Sequence, residues 1–237
     1  MQITIVPNGT IGWRFDPVKT LARIRRCVET GDAATLGDTM DAVPLLRAHH
    51  PDTNVVDSLL IKAIMHMGQH GGGAASICPL VQRACAAGCN LLAPIDAEFW
   101  AEFAAPDSTE PPDIDSWTLF HFVAAAGYDE AFCASLVAAA GDASALWRAE
   151  TRLGNTPLHI AAIYGNRGFV AAAVADAAWG GHCQNAHRQT PIGLSAQYYR
   201  LRGVPVEQWD TTHLLFAYTG SSGMARADRA LLRAADA

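Results

Sequence analysis

Apolar residues fall into short helical runs over much of this chain. After Gly127, Phe132, Leu136 and Val137 share one helical face, and Ala140-Gly141-Asp142 closes it. After Gly165, Phe169, Val170 and Val174 repeat the pattern until Gly180-Gly181 break it, and Asn185 leads into the next turn. Ser58 to Gly68 (SLLIKAIMHMG) predicts another helix, with Ala84 to Asn90 (ACAAGCN) closing its partner. At the far end Met224, Ala227, Leu231 and Ala235 share a face, which predicts a capping helix over 224–237. The start differs. QITIV and TIGWRF flank Asn8-Gly9 and predict a two-residue β-hairpin. Such a hairpin is marginal alone in water, so it should pack on the first helical unit or on a partner.

Self-similarity organises these runs. Ser116 to Gly127 (SWTLFHFVAAAG), Gly154 to Gly165 (GNTPLHIAAIYG) and Arg188 to Tyr199 (RQTPIGLSAQYY) align, with threonines at 118, 156 and 190. In the first two a His follows the Thr by three positions, and a Gly follows that His by six. Thr156 can cap a helix, Pro157 suits its first turn, and Gly165 suits its end. His159 is placed to hydrogen-bond between neighbouring turns, and Ala161 and Ala162 allow adjacent helices to approach closely.

Thr156 to Ala162 (TPLHIAA) resembles the opening of the ankyrin repeat, a unit of about 33 residues with a turn and two antiparallel helices. Cys27 to Asp32 (CVETGD) resembles the start of an N-terminal capping repeat of that family. The resemblance implies an all-α, ankyrin-repeat solenoid of about five helix-turn-helix units, with a short N-terminal β-hairpin (1–16) and a C-terminal capping helix. The array would run over 17–237, with units near 17–50, 53–92, 113–149, 151–183 and 185–219. An insertion at 92–112, with Phe99, Trp100 and Phe103 and then DSTEPP, interrupts it; it either contacts a partner or patches a gap in the stack. The last unit departs from the motif: Gly193 stands in place of its His, and Tyr199 in place of its closing Gly.

Composition narrows the function. Half of the 237 residues are hydrophobic, enough for a substantial core, and only 8% are aromatic. The chain holds 44 Ala and only two Lys, which suits close-packed helices. With 23 acidic and 17 basic residues the net charge is −6, which argues against nucleic-acid binding. No apolar run approaches a membrane span, and residues 1–15 lack the features of a signal peptide. Cysteines at 27, 78, 85, 89, 133 and 183 form no CxxC pairs. Reduced thiols inside the cell, in cytoplasm or nucleus, are the expectation.

Candidate chemistry is thin. Cys78, Cys85 and Cys89 are spaced to share a helical face, which reads as core packing before it reads as a zinc site with His66. Cys183 lies four residues before His187 and is the one nucleophile–base pair worth weighing. No phosphate loop or nucleophile elbow is present. No cofactor or metal is expected, and the expected role is non-catalytic.

Binding by another protein is the favoured reading, as an adaptor, inhibitor or assembly subunit. The resemblance implies contacts at the turn tips and on the exposed ends of the inner helices. Carried over, these are Ile114, Asp115 and Trp117; Arg152, Leu153, Asn155, Ile163 and Tyr164; and His187, Gln189, Gln197 and Tyr198. Trp, Tyr and Arg are common interface anchors. Trp117 and Ile163 have the alternative of packing between repeats. Two rival functions remain: a fixed structural subunit docked through the hairpin and the 92–112 insertion, and an enzyme using Cys183 and His187.

Overall fold

The computed structural model describes residues 2–5, 11–14, 16–49, 53–67, 73–95, 114–141, 144–176 and 183–219. The chain divides into two units, Met1–Ala93 and Pro94–Ala237. Most of the 92–112 insertion and all of the 224–237 segment lie outside the described residues.

The N-terminal hairpin is corrected. A two-residue turn at Asn8-Gly9 would set Ile5 opposite Gly12. The backbone of β1 (Gln2–Ile5) instead meets β2 (Ile11–Arg14) with Ile5 opposite Ile11 and Ile3 opposite Trp13. That is one register step away, and one step exchanges the faces of every side chain. The observed register sets apolar positions opposite one another, so pattern outweighs the turn signal. Residues 6–10 lie outside the described ones. The register that a two-residue Asn8-Gly9 turn would set is therefore not the one that forms. From Asp16 onward, all regular structure among the described residues is helical.

The first unit holds α1 (Pro17–Thr30), α2 (Ala33–Met40), α3 (Val43–His49), α4 (Thr53–Met67) and α5 (Gly73–Ala86). Asp16 caps α1 by accepting from the Lys19 N–H at 3.1 Å, and Asp32 caps α2 through Thr35. α1 packs on α2, α3 and α4, and α5 packs on α2 and α4. Ile24, Leu36, Leu46, Leu60, Ile64 and Val81 are buried among them. Buried Asp57 on α4 accepts hydrogen bonds from the Arg47 guanidinium on α3 and from the Asn90 N–H, at 3.0 Å for the latter. One carboxylate thus ties three segments, and its burial is offset by those two partners.

The second unit is a set of helix pairs. Inner helices are α6 (Leu119–Ala126), α9 (Pro157–Tyr164) and α11 (Pro191–Leu201); outer helices are α7 (Glu130–Ala140), α10 (Arg167–Ala175) and α12 (Asp210–Thr219). α9 packs between α6 and α11, and α10 between α7 and α12. α6 and α9 are nearly all apolar because they are covered on several sides, and each buries its first six residues. Left-handed Gly127 and Gly165 end α6 and α9. The short α8 (Ser144–Trp147) inserts Trp147 edge-on against Phe120 and Phe169, with ring centroids 5.1 and 5.2 Å apart. Its indole N–H donates to Asp176 Oδ2 at 2.8 Å. α12 starts late, after a 3₁₀ turn at Val206–Gln208, and Trp209 between the two stacks on Tyr199.

Candidate functional site

The inner helices and the turns before them are tied by a repeated relay. Thr118 donates its N–H to His121 Nδ1 at 3.2 Å, and its hydroxyl lies 2.9 Å from the same nitrogen. That nitrogen is an acceptor, so Nε2 carries the proton and donates to Asn155 O at 3.0 Å, in the next turn. Thr156 and His159 repeat this, and His159 Nε2 donates to Gln189 O at 3.1 Å. At the third helix Thr190 Oγ1 accepts from the Gly193 N–H at 3.2 Å. Glycine stands at the His position there, so α11 does not continue the relay. Asn166 does the corresponding work behind: it caps α10 through the Phe169 N–H and donates to Val123 O and Ala124 O at the end of α6.

The tips themselves are hydrogen-bonded turns. Thr151 N–H donates to Asn155 O at 2.9 Å, Asn185 N–H donates to Gln189 O at 3.0 Å, and Ala186 N–H joins the two tips at Leu153 O, 2.9 Å away. Rigid tips hold their side chains at fixed spacing beside the exposed inner-helix ends.

The expected contact residues divide into three groups. Ile114 and Asn155 are buried, which corrects the expectation that they face a partner, and Trp117 is buried as in the packing alternative stated for it. The Trp117 indole is fully covered, edge-on to Phe122 at 5.3 Å and to Tyr164 at 6.4 Å, so it packs between inner helices. Asn155 gives its carbonyl to His121 and its Oδ1 to Asn185. Leu153, Tyr164, Gln189 and Tyr198 are half-buried, and burial raises the Tyr164 phenol to about 12. The Arg202 guanidinium lies 3.9 Å over the Tyr198 ring. Arg152, Ile163, His187 and Gln197 are exposed, and Ile163 leaves 37% of its surface open on a helix whose first six residues are buried. Asp115 lies in the 3₁₀ turn Ile114–Ser116, and its side chain is outside those described.

The cysteine chemistry is also relocated. The imidazole beside Cys183 is that of His159, with Nδ1 4.0 Å from Sγ, and His187 is instead an exposed tip residue. Nδ1 already accepts from Thr156, so it has no lone pair for the thiol. Burial pushes the Cys183 thiol up and the His159 imidazole down to about 4. Both are neutral near pH 7, the opposite of an activated thiolate–imidazolium pair. Cys89 lies past the end of α5, so it does not share a helical face with Cys78 and Cys85. Among the described residues no group of three or more His, Cys, Asp or Glu is arranged to hold a metal ion, and no helix is long and apolar enough to cross a membrane.

Sequence reasoning missed Trp147, Asp57 and Asn166. Asn166 had a readable signal, since it follows a helix-ending Gly at the start of an apolar run, as a capping residue does. No protein-family model matches the chain, and no curated protein matches it.

Proposed function

We propose that the second unit is an ankyrin-type stack over 114–219 whose inner-helix face binds another protein and performs no chemistry of its own. It acts as an adaptor, inhibitor or subunit inside the cell, in cytoplasm or nucleus, with no cofactor, metal or nucleic acid. The relay from His121 to Asn155 O and from His159 to Gln189 O supports the repeat reading, because it joins successive units at the same atoms. The binding reading rests on one observation above all: α9 is buried along six successive residues, yet Ile163 is left exposed beside Tyr164. Gln197 and Tyr198 stand at the matching positions of α11 and extend that face. The step from this fold to protein binding is an analogy with other arrays of the kind.

The test is affinity capture from native cell extract with the wild type and Ile163→Asn side by side. Ile163 is partly covered as well as partly exposed, so the variant's melting temperature is measured beside the wild type's and capture is compared at a temperature where both are folded. A protein retained by the wild type and lost with Ile163→Asn is the expected result. Equal retention by both contradicts the assignment of the face.

A further inference from the structure

The 151–155 and 185–189 turn tips are built alike, and one of them carries a residue the backbone does not favour. Gly154 N–H donates to Thr151 O at 2.8 Å, and Arg188 N–H donates to Asn185 O at 2.9 Å. Gly154 (φ 71°) and Arg188 (φ 60°) therefore hold the same place in the turn, in the left-handed region. At Gly154 glycine is favoured by the backbone and by crowding, because a Cβ would sit 3.1 Å from Ala186 N. Among the described residues Arg188 is the one non-glycine with positive φ. Its place would be unstrained with glycine. Strain held at an exposed turn points to a use for the side chain.

The surroundings say which use. TRLGN (151–155) and NAHRQ (185–189) hold two arginines and a histidine on a chain whose net charge is −6, while Glu150 stands just before the first tip and Asp115 in the turn before α6. Arg152, His187 and Arg188 are all exposed, and the Ala186–Leu153 hydrogen bond holds their tips side by side. Among the described residues no ion pair engages the Arg188 guanidinium. A guanidinium on a rigid backbone offers parallel N–H donors suited to a carboxylate. We infer that these tips bind an acidic segment of the partner protein, with Arg188 paired to a carboxylate and Arg152 and His187 flanking it. This rests on the protein-binding reading of the adjoining inner-helix face and supplies the chemistry of its edge.

The test uses the full chain and a short fluorescein-labelled Glu-rich peptide carrying one leucine, read by polarisation at low salt. Arg188→Gly should weaken binding about fivefold, while the melting temperature holds or rises because the strain is relieved. Arg200→Gln removes the same charge from α11 and should leave binding near the wild type. Unchanged binding in Arg188→Gly overturns the proposal. So does an equal loss in Arg200→Gln, or tighter binding of an oligothymidylate than of the peptide. Ile163→Asn separates the two readings. Dependence on Arg188 without dependence on Ile163 keeps the tips and rejects the inner-helix face; the reverse keeps the face and rejects the tips.

Discussion

Single residues show most directly what was readable. Thr156, Pro157, His159 and Gly165 do in the structure what their chemistry announces, because capping, first-turn and left-handed positions are local requirements. Trp117 was not readable in that way. Its position in the turn suggests exposure, but a ring that large reaches back between α6 and α9 and is buried there. At Cys183, sequence adjacency to His187 says nothing of the His159 ring that lies beside it in space. His159 yields a pH prediction. Burial holds its pKa near 4 against an ordinary 6.5, so between those values the unfolded chain binds a proton that the folded chain does not. Its stabilising contribution is complete above pH 6.5 and is lost as pH falls to about 4, an effect of about 3 kcal/mol. By NMR the His159 ring should remain neutral at about pH 5.5; titration near 6.5 would contradict its sealed environment.

At the scale of elements, the helices after Gly127 and Gly165 were legible because one apolar face per helix leaves a clear period. The N-terminal register was not. Asn8-Gly9 favours one pairing and the apolar alternation another, and the two differ by a single residue. The packing of α10 was equally hidden, since it depends on a close approach. A Cβ at Gly168 would lie 2.6 Å from Tyr128 O and 2.7 Å from the Asp129 carbonyl carbon, both backbone atoms that cannot turn aside. Gly168→Ala should therefore destabilise the chain by about 1–3 kcal/mol, although alanine favours helix by up to about 1 kcal/mol. Urea unfolding measures this, and an unchanged or raised midpoint would mean that the α10 start shifts freely.

At the scale of the whole molecule, the repeats of the second unit were visible in sequence and the organisation of the first was not. The second unit repeats a hydrogen-bonding device, and a device that joins neighbours must recur at similar spacing. The first unit depends on one-off solutions such as the Arg47–Asp57–Asn90 tie, which leave no period to detect. The central claim is that the inner-helix face of the second unit meets a partner protein. A photo-crosslinking amino acid at position 163, compared with one at exposed Ala134 on outer helix α7, tests it most directly in native extract. The account predicts one discrete crosslinked species from 163 and none from 134. The same species from 134 alone, or from both positions equally, would contradict it.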